Sequence, residues 1–338
     1  MTRCIHGAVG LLGEMARVSE SVGQLGDIWA AVAGQRMFGR VSTRTLPTGL
    51  PPVVMLHGLS VSSWYLTPIA RRLAPFCPVY LPDLPGFGRS GNPPRILTIA
   101  GMSDALASWM RAVGLERAVI LGHSVGCQVA ARFATRYPEM TLGVVLVSPT
   151  MDPDMSGLAL FLRGLLNFTY EPGVMTVLAG IGATQGGPWR AWRTFLYALS
   201  DQCENVYPAI QAPALVVRGA RDPIAPQDWA ERVARMPPRG RPLHLLPGRT
   251  HAMNMNAPRA LLGAILPFLR EIANVTRPPR QPYQQAYEPL WRAETDDAPS
   301  NELELRGYRV PRSLLPDDGD RRVHSAGLVV DRLAGEVP

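Results

Sequence analysis

Short apolar runs alternate with segments of helical periodicity through the middle of this chain, and this alternation restricts the possible folds more than any other feature. Gly or Pro bounds most of the runs, as is typical of buried strands. Strands are predicted at 52–57, 79–81, 118–122, 142–148, 214–218 and 243–246. The helical segments between them lie at 64–73, 99–113, 125–137 and 227–236. Because strands that alternate with helices form a mostly parallel sheet covered on both faces, we expect an α/β fold.

The two ends of the chain and one internal segment depart from this alternation. A helix at 11–22 and a leading strand at 35–42 are predicted near the N terminus. Leu, Phe, Trp, Gly and Met dominate the segment from 150 to 207, which has helical character, and Pro, Arg, Gln and Asp dominate after about 273. We therefore expect an N-terminal core part (1–149), a helical cap inserted into the core (150–207), a C-terminal core part (208–273) and a flexible tail (274–338).

Composition excludes several classes of chemistry. The chain contains no lysine, so its formal net charge of +7 comes from arginine. Schiff-base catalysis, pyridoxal phosphate attachment and a P-loop all need lysine and are excluded. The arginines of the C-terminal quarter are dispersed instead of forming one helical stripe, which argues against a nucleic-acid partner. The apolar stretch at 8–12 is too short to span a bilayer, so we expect no stable membrane insertion.

The spacing of the cysteines indicates neither a bound metal nor a disulfide-rich fold. No CxxC pair occurs among the four cysteines, which argues against a zinc site and against a disulfide framework. Scattered free cysteines favour a reducing compartment, and we expect a cytoplasmic protein. Neither a metal nor an organic cofactor is expected, and the partner should be a small-molecule substrate.

The strongest local motif is Gly122-His123-Ser124-Val125-Gly126, which stands directly between a predicted strand and a predicted helix. A G-x-S-x-G sequence in this position is typical of a sharp turn that exposes a serine hydroxyl at the carboxyl end of a sheet. The N terminus of the following helix places free N–H groups near a developing oxyanion. Ser124 is therefore the predicted nucleophile.

Three further residues follow other predicted strands. Leu59 comes after the strand that ends at His57, where a loop supplies one amide of an oxyanion hole, and the amide of Val125 supplies the other. Asp222 follows the strand at 214–218, and His251 follows the strand at 243–246. The chain order of serine, aspartate and histidine predicts a triad of Ser124 as nucleophile, His251 as general base and Asp222 as the orienting carboxylate.

Successive sequence phrases extend this pattern along most of the chain. HGLS, DLPGFGRSG, GHSVG, GARDPI and THAMNMNAP occur in this order between about residues 35 and 272. In these motifs the chain resembles the α/β-hydrolase superfamily, in the branch that holds esterases, carbon-carbon bond hydrolases and cofactor-free haloperoxidases. The resemblance implies an α/β-hydrolase fold. Haloalkane dehalogenases and epoxide hydrolases have aspartate where this chain has Ser124, so their reactions are disfavoured.

The substrate stays open between three hypotheses. The first is a serine hydrolase that cleaves a carboxylic ester, lactone or thioester of a moderately apolar small molecule through an acyl-enzyme. The second is a carbon-carbon bond hydrolase of a diketone-type ring-fission product, although such enzymes commonly have tryptophan where this chain has Ala252. The third is a catalytically inactive binding protein on the same fold, with the tail as its interaction segment.

Several side chains also have two interpretations. Asp152 follows the strand at 142–148, from which some related proteins supply the triad acid, but Asp222 is better placed in sequence. Six aromatic residues of the cap either line an apolar substrate pocket or pack the cap onto the main domain, namely Phe161, Phe168, Trp189, Trp192, Phe195 and Tyr197. His123 is predicted to be a packing residue.

Overall fold

In a computed structural model of the chain, the described residues are 23–43, 48–170, 187–276, 302–305 and 308–311. The chain divides into two compact units, Met1–Arg277 and Pro278–Pro338. The helix predicted at 11–22 lies outside the described residues.

An eight-stranded sheet forms the centre of the first unit. Its strands are β1 (Leu25–Val32), β2 (Gln35–Ser42), β3 (Val53–Leu56), β4 (Val79–Pro82), β5 (Ala118–His123), β6 (Thr141–Val147), β7 (Ala214–Gly219) and β8 (His244–Leu246). Their order across the sheet is β1-β2-β4-β3-β5-β6-β7-β8. Strands β3 to β8 run parallel, whereas β2 is antiparallel to both of its neighbours. The predicted α/β fold is confirmed, and so are the predicted strands that correspond to β2 to β8.

Eight helices of the first unit are described. They are α1 (Thr67–Leu73), α2 (Ile99–Ala112), α3 (Gly126–Arg136), α4 (Gly157–Tyr170), α5 (Pro188–Leu199), α6 (Gln227–Arg235), α7 (Met253–Asn256) and α8 (Pro258–Thr276). The helices predicted between strands correspond to α1, α2, α3 and α6, whereas α8 was not predicted and extends past 273. Within the described part of the chain, no helix has the length and apolar character needed to cross a membrane.

The core lies on both faces of the sheet because successive strand residues point to opposite sides. On one face Val54 and Ile120 pack under α2, α3 and α6. On the other face Val53 and Val119 pack under α1 and α8. All four side chains are fully buried, and burying a side chain of this size stabilises the fold by about 1.5–3 kcal/mol.

The edge strand β1 was not predicted. It pairs with β2 through a two-residue turn at Ala33 and Gly34, whose φ angles of 46° and 77° are typical of the tight turns that join antiparallel strands. Because β1 lies at the edge of the sheet, most of its residues stay partly exposed, Trp29 among them. An edge strand therefore lacks the continuous apolar run that identified the central strands.

Among the described residues of the segment predicted as a cap, the α-helices α4 and α5 lie between β6 and β7. In the second unit the structure describes one antiparallel pair, β9 (Glu302–Leu305) and β10 (Tyr308–Pro311). This hairpin was not predicted in the tail, and most of 274–338 lies outside the described residues.

Candidate active site

Ser124 lies in a strained turn between β5 and α3. Its φ angle of 56° falls in the left-handed region, which costs a residue other than glycine about 1–2 kcal/mol. The Ser124 amide donates to the carbonyl of Val147 at 3.0 Å, which fixes the turn against β6. A side chain at Gly122 would collide with the carbonyl of Gly126, so the turn requires a glycine there. This is the sharp strand-to-helix corner that the motif predicts.

His251 and Asp222 meet at the same edge of the sheet, in the loops that follow β8 and β7. The His251 Nδ1 atom is 2.9 Å from Asp222 Oδ2 and 3.1 Å from Oδ1. Both residues are buried. Because Nδ1–H donates to the carboxylate, Nε2 of the neutral ring keeps its lone pair and is able to accept a proton.

The surroundings of Asp222 keep its carboxylate ionised. Its Oδ1 accepts hydrogen bonds from the amides of Ile224 at 2.8 Å and Ala225 at 3.1 Å. Burial by itself raises the pKa of Asp222, but the His251 ring and the Ala225 amide outweigh it and lower the pKa to about 2. The group beside His251 is therefore a stable negative charge at neutral pH.

Backbone contacts hold the two loops in register. The amide of Arg221 donates to the carbonyl of Arg249 at 2.8 Å, and the amide of Ala220 donates to that of Leu246 at 3.0 Å. A side chain at Gly219 would collide with the Arg249 carbonyl, so the close approach depends on glycine. This packing brings His251 to Asp222 across 29 residues of sequence.

The loop after β3 lies directly against the serine. A Cβ atom added to Gly58 would be 3.2 Å from Cβ of Ser124. Next to Gly58, Leu59 lines the same cavity as Val125. Within the described residues, the amides of Leu59 and Val125 donate to no protein acceptor. His57 braces this loop, since its Nδ1–H donates to the Gly58 carbonyl at 2.9 Å and its Nε2 accepts from the amide of Leu84 at 3.0 Å.

His123 has a role that the sequence did not indicate. Its Nε2–H donates to the backbone carbonyl of His251 at 3.0 Å, and the two ring centroids are 4.8 Å apart. Burial, followed by repulsion from His251, lowers the pKa of His123 to about 3. A neutral His123 therefore supports the backbone that carries His251. No spacing rule links these two residues, because 128 positions separate them.

Ser124 and His251 open into a cavity of about 440 Å³. The side chains that line it are mostly apolar and include Val61, Met151, Leu160, Phe161, Leu165, Trp192, Phe195 and Ile224. Two buried oxygens interrupt this apolar wall, Oγ1 of Thr150 and Oδ1 of Asn167, and neither has a hydrogen-bond partner among the described residues. The cavity thus combines a large apolar surface with a few polar positions, as ligand sites do.

The structure places the remaining predicted residues as follows. Phe161 and Trp192 line the cavity, whereas Trp189 is 66% exposed and is not among the lining residues. Asp152, the alternative acid, forms an ion pair with Arg232 at 2.6 Å. Among the described residues, no group of three or more His, Cys, Asp or Glu side chains is arranged to hold a metal ion.

Phe195, which the sequence also indicated, lines the cavity, whereas Met151, Leu160, Leu165 and Ile224 were not predicted. Leu160 and Leu165 belong to α4, whose apolar residues fall on more than one helix face. Composition alone does not show which of these faces borders the cavity. The sequence therefore indicated the segment and some of its aromatic positions, but not the aliphatic ones.

Comparison with known proteins agrees with this architecture. The model of the alpha/beta hydrolase family matches residues 53–264. Because this match covers more than half of the chain, the protein belongs to the alpha/beta hydrolase family.

Individual relatives are distant. An abhydrolase domain-containing protein, abhd-5.2 of Caenorhabditis elegans, is 32% identical over 114 residues, which cover 31% of this chain and 26% of that protein. The chain thus spans about a quarter of that relative's length. The putative carbamate hydrolase RutD of Caulobacter sp. (strain K31) is 27% identical over 64% of this chain and 90% of its own length. The solved structure of a thermophilic esterase from Thermogutta terrifontis, 24% identical, superposes with a TM-score of 0.61 over 74% of this chain and 99% of that chain.

Proposed function

We propose that the protein is a serine hydrolase that cleaves the carboxylic ester, lactone or thioester of a moderately apolar molecule through an acyl-enzyme. The observation that carries this proposal is the placement of Ser124, at a strained turn, in the same cavity as His251. The Asp222 carboxylate lies 2.9 Å from Nδ1 of that histidine. Nucleophile, base and orienting acid are thereby available without any further group.

The mechanism proceeds in two halves. Ser124 Oγ attacks the carbonyl carbon while His251 Nε2 removes the hydroxyl proton, and Asp222 stabilises the imidazolium that forms. The His251 proton then passes to the leaving oxygen or sulfur, and the acyl group stays on Ser124. Water that is deprotonated by His251 attacks this acyl-enzyme and releases the acid, which restores the serine hydroxyl.

The amides of Leu59 and Val125 are proposed to hold the oxyanion. Both residues border the cavity beside Ser124, and neither amide is used by another acceptor among the described residues. A donor that is aimed at the developing charge typically contributes about 10²–10³-fold in rate. Two free amides at this position therefore account for a substantial part of the expected acceleration.

The segment 150–207 is proposed to act as a cap that selects the substrate. Its residues Leu160, Phe161 and Trp192 line the cavity together with residues of the loops that carry the reacting groups. An apolar wall of this kind favours a hydrocarbon acyl or alcohol group over a charged one. Phe161 and Trp192 are therefore the proposed substrate contacts of this segment.

The test uses a series of p-nitrophenyl esters with increasing acyl length, wild-type protein and Ser124→Ala. We expect turnover in the wild type and a loss of about 10⁴-fold or more in the variant, because the nucleophile is removed. A fluorophosphonate probe should label the wild type and not the variant. Equal turnover by both proteins would contradict the nucleophile, whereas labelling of Ser124 without turnover of any ester would contradict the ester substrate.

A further inference from the structure

The apolar stripe of α4 points to solvent. Phe161 and Leu162 are each three or four residues from both Leu158 and Leu165, and the four side chains, in chain order, are 68%, 46%, 54% and 49% exposed. A stripe of this spacing normally faces the protein core. In α4 the inward side is instead the one that carries the buried Leu160. The exposed stripe is therefore an unusual feature of a surface helix.

Helix α5 extends this surface. Trp189 is 66% exposed, and Trp192 is 46% exposed. The two helices approach each other closely, because a Cβ atom added to Gly157 of α4 would be 2.9 Å from Cδ1 of Leu199 in α5. Tryptophan, with an apolar ring and one N–H group, is the side chain that most favours the boundary between lipid and water.

The charge of these helices is entirely positive. Neither Gly157–Tyr170 nor Pro188–Leu199 contains Asp or Glu, whereas the two together contain Arg163, Arg190 and Arg193. Among the described residues, none of the three arginines forms an ion pair with a carboxylate. Nη1 of Arg190 is buried beside Gly86, so Arg163 and Arg193 are the cations that remain next to the exposed apolar stripe. Two such cations complement a surface of negative headgroups.

The exposed surface continues into the cavity. Phe161, Leu165 and Trp192 are each about half exposed and also line the cavity that contains Ser124. An acyl chain that leaves a lipid layer at this surface would stay in contact with apolar side chains on its way to the serine. Contact with this continuous apolar surface would not stabilise a charged or strongly polar partner.

We propose that the exposed faces of α4 and α5 form a docking surface for an anionic lipid layer. The protein adsorbs with Leu158, Leu162 and Trp189 among the acyl chains and with Arg163 and Arg193 at the headgroups. The substrate is then an ester lipid whose acyl chain enters the cavity directly from the layer. This substrate assignment rests on the proposed hydrolase function, whereas the docking itself does not.

The test measures binding of the full chain carrying Ser124→Ala, so that no lipid is hydrolysed, to floated vesicles. The vesicles contain either phosphatidylcholine alone or phosphatidylcholine and phosphatidylglycerol in equal amounts. We expect stronger binding to the mixed vesicles, weakened several-fold by added salt because the arginine attraction is screened. Adding Leu158→Ser and Leu162→Ser should lower the partition coefficient by about tenfold or more, because two exposed anchors are removed.

A matched control changes exposed apolar residues outside both helices, Trp29→Ser and Val275→Ser, which are 39% and 66% exposed in the wild type. It should bind vesicles as the parent does. Absence of binding to both kinds of vesicle, equal losses in the two double variants, or a dimer that only the Leu158/Leu162 variant abolishes would overturn the proposal. Turnover of a water-soluble ester by the protein with intact Ser124 tests the hydrolase function separately, so the two failures are distinguishable.

Discussion

The loops after β5, β7 and β8 and the helices α4 and α5 border the same cavity but are built in opposite ways. In the loops, polar side chains are buried and hydrogen-bonded, as in the contact between His251 and Asp222. In the helices, large apolar side chains such as Leu158 are exposed. A fixed polar arrangement suits a reaction that needs exact distances, whereas an exposed apolar surface suits contact with a variable partner. This difference supports the proposal that the loops carry the chemistry and the helices select the substrate.

The largest expected effect comes from a substitution among the buried polar residues of the loops. Asp222→Asn should lower kcat by about 10⁴-fold, because the amide no longer stabilises the imidazolium and favours the wrong tautomer of His251. Steady-state turnover of a short-chain p-nitrophenyl ester measures it. Asp152→Asn is the matched control, since that carboxylate pairs with Arg232, and it should keep activity within a few-fold. Similar losses in the two variants would contradict the assignment of the acid.

A second test concerns stability in the same polar region. The folded-state pKa of His123 is about 3, below the ordinary value of 6.5, so the unfolded chain binds more protons between these pH values. Protonation of the unfolded chain at His123 therefore does not reduce the free energy of unfolding above pH 6.5. Below pH 6.5 it reduces the free energy of unfolding by up to about 1.4 kcal/mol per pH unit. Urea unfolding from pH 7 to 5 should show a shallower decline for His123→Gln than for the wild type. Parallel curves would contradict a neutral, buried His123.

A third test examines whether the helices contact the acyl group of the substrate. Phe161→Ala should raise KM for a medium-chain ester about tenfold and leave an acetate ester nearly unchanged, because only the longer acyl group reaches this wall. Leu162→Ala is the control on the same helix, since Leu162 is exposed and is not among the residues that line the cavity. An equal effect of Phe161→Ala on both esters would place the acyl group elsewhere.

The smallest expected effect concerns strain at the nucleophile. At the φ of 56° found for Ser124, glycine is tolerated better than alanine, so Ser124→Gly should be about 1 kcal/mol more stable than Ser124→Ala. At Ser108, an exposed position inside α2, the order should reverse by about 1 kcal/mol, because glycine weakens a helix. Thermal or urea unfolding of the four variants measures, at each position, whether the glycine or the alanine variant is more stable. If alanine were the more stable residue at both positions, the result would contradict strain at the serine.

The central part of the fold was predictable because its signals are local. Apolar runs such as the one that ends at Leu56 mark fully buried strands, and the turn at Ser124 is encoded by the small residues around it. The edge strand β1 was missed because pairing on one side only leaves most of its residues partly exposed. The contact between His123 and His251 was missed because it joins side chain and backbone across 128 positions.

By itself, the sequence determined strands β2 to β8, the helices α1, α2, α3 and α6 and the mostly parallel sheet. It also indicated the three residues proposed for the reaction, because the ends of parallel strands meet at one edge. Tertiary structure alone decided that His123 contacts the backbone of His251, that Phe161 borders the cavity while Trp189 does not, and that the apolar stripe of α4 faces outward. The physical reason is that periodicity reports which residues share a face of an element. Only packing decides what that face contacts.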